Sequence, residues 1–131
     1  EAHGLSLDES WTEACRYSMA EGYAAAGRIL DRTKGLTALF ALSDVMAIGA
    51  IRCLRDRRLR VPEDISVVGF DGVALGEYCV PRLTTVRQDT RSMVHRAAEI
   101  LLSRLTEELP PVHETVPFTL IPGESAGPSP I

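Results

Sequence analysis

The fold is decided by two apolar runs, each closed by polar residues: Ala38-Leu39-Phe40-Ala41-Leu42-Ser43-Asp44 and Ile65-Ser66-Val67-Val68-Gly69-Phe70-Asp71. A short apolar run of this kind is typical of a strand that is buried on both faces of a sheet. Between the runs we predict a helix that begins after Ser43 or Asp44 and reaches about Arg58, because Val61-Pro62 prevents its continuation. The pattern therefore indicates strand, helix, strand.

The same alternation continues outward from this unit. Upstream, Ser18 and Glu21 have capping-box spacing and predict a helix over 19–32. Downstream, 83–86 is rich in β-formers, and Asp89 or Thr90 can cap a long helix with Val94, Ala97, Ala98, Leu101 and Leu105 on one face. Pro110-Pro111 closes it, and the last strand candidate is Val112 to Leu120. We predict an α/β domain, a parallel sheet with helices on both faces.

Composition excludes several classes of protein. The 131 residues suit one domain, no apolar run approaches the length of about 20 that crosses a bilayer, and the start shows no secretory signal. A net charge of −4 argues against an autonomous DNA-binding surface. The cluster Arg52, Arg55, Arg57, Arg58 and Arg60 fits a solvated helix end better than an anion site. Cys15, Cys53 and Cys79 have no disulfide or metal spacing, so we expect no metal, no cofactor and a reducing cytoplasm.

Polar side chains collect where the strands end. They are Arg16-Tyr17-Ser18, Ser43-Asp44, Asp71 and Arg87-Gln88-Asp89. Ligands of open α/β sheets bind at this edge, and carboxylates, an amide and one aromatic ring suit a polyhydroxylated molecule. Each residue also has a structural interpretation. Asp44 and Asp89 fit helix caps better, Ser43 can be a cap, Asp71-Gly72 can be a turn, and Tyr17 can belong to the core or its rim.

The predicted helix of residues 44–58 carries two apolar stripes. Ala47, Ile48, Ile51 and Leu54 should pack on the sheet, while Met46, Gly49, Ala50 and Cys53 form a second stripe turned away from it. The spacing leaves open whether a neighbouring helix or a second copy of the chain covers this second stripe.

One motif resembles that of an enzyme. Gly123-Glu124-Ser125-Ala126-Gly127 matches the G-x-S-x-G nucleophile elbow. The elbow needs a following helix and a later acid and histidine, and the chain offers neither, so we do not expect an enzyme.

Three segments together resemble the lactose-repressor/galactose-repressor (LacI/GalR) family: residues 37–50, residues 61–71 and Pro81-Arg82-Leu83-Thr84-Thr85-Val86. The resemblance covers about Ser18 to Ser125. It implies one lobe of a periplasmic-binding-protein-like (type I) fold. Residues 1–125 would be the C-terminal effector-binding and dimerisation lobe and 126–131 a flexible tail, with the DNA-binding head and the first lobe absent.

The resemblance also implies roles for single residues. Asp71 stands where the family has an effector-binding carboxylate, Ser43 where many members have asparagine, Tyr17 where an aromatic ring often packs on the effector, and Gln88 near the pocket. We include Asp44 among the ligand-binding candidates. The dimer interface would combine the 44–58 helix with the following loop, through Met46, Ala50, Cys53, Tyr78, Cys79 and Pro81.

The function that these expectations support is the sensing part of a cytoplasmic, homodimeric transcription regulator. It would bind a sugar or similar small effector, and would contact DNA only through the absent head. The alternative is a periplasmic sugar-binding protein of a transport system, which an upstream signal peptide would favour. An unrelated possibility is an α/β enzyme such as a flavodoxin-like or receiver domain.

Overall fold

Three helices and four strands are found in the part of the chain that the structure describes. The computed structural model describes residues 8–106 and 110–128. The helices are α1 (Met19–Arg32), α2 (Asp44–Asp56) and α3 (Thr90–Thr106), and the strands are β1 (Ala38–Phe40), β2 (Ser66–Asp71), β3 (Thr84–Gln88) and β4 (Phe118–Ile121). Two short 3-10 turns lie at Glu9–Trp11 and Ala74–Glu77. The predicted order of elements is confirmed.

The strands form one sheet in the order β1-β2-β3-β4. β1, β2 and β3 run parallel, and β4 pairs antiparallel with β3. The α/β class with a mostly parallel sheet is therefore confirmed. The prediction that the last strand begins at Val112 is wrong, since pairing with β3 starts only at Phe118. Pro117, directly before Phe118, lacks the N–H that a ladder needs, which is consistent with the late start.

α1 and α2 pack together on one face of the sheet. Ala47, Ile51 and Leu54 of α2 are buried against Val67 of β2 and Leu83. Ser18 caps α1 as predicted, its hydroxyl accepting from the Glu21 N–H at 3.2 Å. The first face of α2 thus packs as its spacing indicates.

The second stripe of α2 lies under α1. Ala50 and Cys53 are buried in a cluster with Ala26 of α1. Gly22 and Gly49 make the close approach possible, because a Cβ on either would collide with the backbone of the facing helix. The structure therefore selects packing within the chain. The alternative in which Ala50 and Cys53 face a second copy is wrong, because α1 covers both.

α3 leaves its apolar side chains exposed. Val94, Leu101 and Leu105 of the predicted apolar face are all largely accessible, Leu105 at 75%. Its N-terminus is capped as predicted, with the Asp89 carboxylate accepting from the Ser92 N–H at 3.0 Å. The helix is amphipathic as expected, but within residues 8–106 and 110–128 its apolar face is not covered.

The C-terminal segment returns to the amino ends of β2 and β3. The Ser125 hydroxyl donates to the Val67 carbonyl at 2.6 Å and accepts from the Thr84 N–H at 2.8 Å. The Gly127 N–H donates to the Ser66 hydroxyl at 3.1 Å. Part of the predicted tail is thus attached to the sheet, while residues 129–131 lie outside the described residues.

Candidate functional site

The carboxyl ends of three parallel strands place the predicted ligand residues along one edge. Asp71 and Gln88 are the last residues of β2 and β3, and Ser43 follows β1 as the N-cap residue of α2. α1 and α2 run in the same direction, since Gly22 lies against Met46 and Gly27 near Cys53. The N-terminus of α1, next to Tyr17, therefore lies at the same end of the domain.

Asp71 and Gln88 contact each other directly. The Gln88 Nε2 donates to Asp71 Oδ1 at 2.9 Å, and both residues are half-buried. Among the described residues, the second carboxylate oxygen of Asp71 has no hydrogen-bond partner. A carboxylate oriented by an amide, with one oxygen left over, can accept hydrogen bonds from ligand hydroxyls.

The backbone at Asp71 is unusual. Its φ is 116° and that of Gly72 is 74°, both in the region that L side chains rarely adopt. A Cβ on Gly72 would lie 2.5 Å from the Arg87 Cβ, so glycine is required there. Arg87, opposite Asp71 in the β2–β3 pairing, forms an exposed ion pair with Glu77 at 3.2 Å. The Asp-Gly turn and the ligand interpretation are thus compatible, since the turn directs the carboxylate.

Asp44 is not an accessible ligand residue. It is 0% exposed, Oδ1 accepts from the Thr85 hydroxyl at 2.5 Å, and Oδ2 accepts from the Val73 N–H at 2.7 Å. Both oxygens are used inside the protein, so the prediction that Asp44 binds ligand is wrong. The cap interpretation is also wrong, because the two donors belong to β3 and to the loop after β2, not to α2.

Ser43 and Tyr17 differ in accessibility. Ser43 is buried and makes no side-chain cap hydrogen bond. Tyr17 is 70% exposed, next to the Ser18 cap. Their roles in binding stay predictions.

Two aromatic rings were missed by the sequence reasoning. Phe40 and Phe70, in β1 and β2, meet edge to face with centroids 6.4 Å apart. Gly69, the neighbour of Phe70, faces Asp44 of α2, so the rings lie on the opposite face of the sheet. Phe40 is exposed, so the last residue of β1 presents an apolar ring on this face of the sheet. The apolar runs gave no signal for this, because they predict burial on both faces.

The loop between the 3-10 turn and β3 exposes apolar side chains. Tyr78 is 82% exposed and Val80 is also largely accessible. The Arg55 guanidinium donates to the Val80 carbonyl at 3.0 Å. The single S–H of Cys79 can donate to the Gly76 carbonyl at 3.1 Å or to the Pro81 carbonyl at 3.2 Å. Burial is the largest influence on the Cys79 thiol and raises its pKa. The loop is therefore tied to the end of α2 while it presents Tyr78 outward.

Other chemistry finds little support in the part of the chain that the structure describes. Ser125 of the elbow-like motif is 0% exposed and its hydroxyl holds two backbone groups, so it is not an accessible nucleophile. In residues 8–106 and 110–128 no group of three or more potential metal ligands comes together. None of the helices in these residues combines the length and apolar character that a bilayer crossing requires.

The sequence and fold of the chain match a known domain family. A family model described as a periplasmic binding protein-like domain matches residues 1–126. The chain belongs to this family. Among its relatives, the HTH-type transcriptional regulator MalR of Clostridium butyricum is 38% identical over 106 residues, which cover 81% of this chain and 32% of MalR. The chain thus spans about a third of the length of this relative.

Solved structures agree with the sequence matches. The transcriptional regulator CelR in complex with cellobiose is similar with a TM-score of 0.87 and 36% identity over 95% of this chain and 38% of that chain. The lac repressor dimer bound to operator and the anti-inducer ONPF is similar with a TM-score of 0.76 and 29% identity, over 84% of this chain and 38% of that chain. The resemblance to LacI/GalR regulators is confirmed.

Proposed function

We propose that this chain is the ligand-sensing lobe of a transcription regulator that binds a sugar or a similar polyhydroxylated effector. The observation that carries the proposal is the pair of Asp71 and Gln88 at the carboxyl ends of β2 and β3. The oriented carboxylate of Asp71 offers hydrogen bonds to hydroxyls, and the exposed ring of Phe40 at the end of β1 offers an apolar surface to C–H groups. Similarity to CelR in complex with cellobiose supports the same class of ligand.

The regulator interpretation is favoured over the two alternatives. The relatives that the chain resembles are transcription regulators rather than transport proteins. A catalytic role has no candidate nucleophile at Ser125, so we propose a sensor and not an enzyme. With a net charge of −4, the chain would act on DNA through another part of the protein, in the cytoplasm.

The exposed apolar face of α3 supports a larger assembly of the effector domain. Val94, Leu101 and Leu105 are accessible although their spacing is that of a packed face. We propose that a first lobe of the same protein covers this face and contributes to the ligand site. We therefore expect full affinity only in the full-length protein.

A second subunit would bind at the Tyr78 loop. Tyr78 and Val80 are exposed aromatic and aliphatic side chains on a loop tied to α2 by Arg55, and aromatic anchors of this kind are enriched at interfaces. Cys79 and Pro81 belong to the same loop. Of the predicted α2 residues only Met46 retains accessible surface, so the proposed homodimer interface is centred on the loop.

The test of the sensing role is calorimetric titration of the full-length protein with cellobiose, and with ribose as a second sugar probe. Asp71→Asn should weaken sugar binding by at least about tenfold, because a charge-assisted hydrogen bond is lost. Asp64→Asn, which alters a carboxylate paired with Arg60 on the surface, is the control and should bind like wild type. Equal affinity of Asp71→Asn and wild type would contradict the assignment, and no binding of either probe would contradict sugars as the ligand class.

A further inference from the structure

The buried carboxylate of Asp44 connects three elements of the ligand edge. It stands at the first residue of α2, accepts from the Thr85 hydroxyl of β3 at 2.5 Å, and accepts from the Val73 N–H at 2.7 Å. Val73 lies two residues after Asp71, at the start of the loop that leaves β2. Asp44 thus joins the helix, the neighbouring strand and the turn that follows Asp71.

The turn at Asp71 needs to be held from both sides. Positive φ at a residue with a side chain is unfavourable and persists only where the surroundings fix it. On the upstream side, pairing with β3 and the hydrogen bond from Gln88 fix Asp71. After Asp71, the next hydrogen bond that holds the chain is the one that the Val73 N–H donates to the Asp44 carboxylate.

We propose that Asp44 is a positioning residue, which holds the turn of residues 71–73 so that the Asp71 carboxylate points to the ligand edge. The feature that matters is an oxygen acceptor for the Val73 N–H, supplied from the interior by α2. Gly69 leaves the space for this carboxylate, since a Cβ there would collide with Asp44 Oδ1. The effect on ligand affinity rests on the function proposed above, whereas the effect on the turn does not.

Three variants separate positioning from bulk stability. Asp44→Ala removes both acceptors. Asp44→Asn keeps an oxygen for the Val73 N–H, and its amide group can donate to the Thr85 hydroxyl, so it should rescue the turn. Ser125→Ala is the stability-matched control, because it also removes buried hydrogen bonds but lies at the amino ends of β2 and β3, away from the turn.

Nuclear magnetic resonance of the 131-residue chain reads the turn without any ligand. In Asp44→Ala the Val73 amide should exchange with solvent at least about tenfold faster than in wild type, beyond any change in global stability. The coupling between the amide and α protons of Asp71 should change from its positive-φ value toward that of extended backbone. Asp44→Asn should leave both measurements unchanged. Ser125→Ala should leave the Asp71 coupling unchanged and should speed Val73 exchange only as far as its lower global stability does.

Two results would overturn the positioning role. One is an Asp44→Ala protein in which Asp71 keeps its coupling and Val73 its protection; the other is a Ser125→Ala protein that changes both equally. If Asp44→Ala does not fold, hydrogen exchange in the wild-type chain still tests the proposal. An unprotected Val73 amide there would contradict a hydrogen bond from Val73 to the Asp44 carboxylate.

Titration of the full-length protein with cellobiose adds the functional readout. Asp44→Ala should lose affinity about as much as Asp71→Asn, and Asp44→Asn should retain it. An unchanged affinity in Asp71→Asn would reject the proposed ligand role of Asp71 while the resonance data still test the turn. A loss in Asp71→Asn without a loss in Asp44→Ala would reject the positioning role alone.

Discussion

Replacing Ser125 with alanine should destabilise the domain strongly, although the residue lies in an irregular C-terminal segment. Its fully buried hydroxyl accepts from the Thr84 N–H at 2.8 Å and donates to the Val67 carbonyl at 2.6 Å. Alanine removes both bonds and leaves two backbone groups of the sheet without this partner. At about 1–3 kcal/mol for each of the two buried groups left unsatisfied, we expect a loss of about 2–6 kcal/mol in the free energy of unfolding.

Urea unfolding followed by far-UV circular dichroism measures this loss. With a slope of about 2 kcal/mol per molar urea, the midpoint should fall by about 1–3 M at unchanged slope. The matched control is Ser103→Ala on exposed α3, which should remain within about 0.5 kcal/mol of wild type. If Ser125→Ala were as stable as Ser103→Ala, the buried hydroxyl would not join β2 to β3 energetically, and our account of this segment would fail.

Three further predictions concern the interface, the core and acid stability. Tyr78→Glu should convert a dimer to a monomer in sedimentation without loss of the helical circular dichroism signal. Ala50→Glu should instead unfold the chain, because α1 covers Ala50. An unfolded Tyr78→Glu protein, or a folded and monomeric Ala50→Glu protein, would reverse this assignment of the interface. Gly69→Ala should cost about 1–3 kcal/mol in urea unfolding, since its Cβ meets Asp44 and Leu83, and a neutral result would contradict that packing. Hydrogen bonds from Arg60 lower the pKa of Asp64 from 3.8 to about 2. Because the folded value is the lower one, the stabilisation is present above pH 4 and is lost as pH falls toward 2. Asp64→Asn should therefore be less stable than wild type above pH 4 and should show a flatter fall in stability between pH 4 and 2.

Local signals in the sequence were sufficient for the elements and their order. The Ser18 cap predicted the start of α1, and the proline at 62 predicted a stop before β2. α2 ends at Asp56, two residues before the predicted end, because the backbone of Arg58 already has φ 64°. Such signals act over a single turn of chain, which is why they can be found without knowing the neighbours.

Contacts between distant segments explain the errors. The stripe of Ala50 and Cys53 has the same spacing whether α1 or a second subunit covers it. An aspartate at the start of a helix can cap the helix, contact a ligand or accept hydrogen bonds inside the protein, and the local sequence is the same in all three cases. Only the position of Val73 and Thr85 around Asp44 distinguishes them, and both lie 29 or more residues away along the chain.

The Leu83-Thr84-Thr85-Val86 segment contains a signal that would have identified the interior role. Two neighbouring threonines in a buried strand point to opposite faces of the sheet, so each hydroxyl needs its own partner on its own face. Thr85 donates to Asp44 on the α2 face, and Thr84 accepts from the Gly123 N–H of the returning C-terminal segment at 3.0 Å. These partners come from different parts of the chain, so α2 and the C-terminal segment both contribute to the position of β3. The two threonines therefore hold β3 from both faces of the sheet. Because β3 ends at Gln88, which donates to Asp71, they also support the carboxylate on which the proposed sensing function depends.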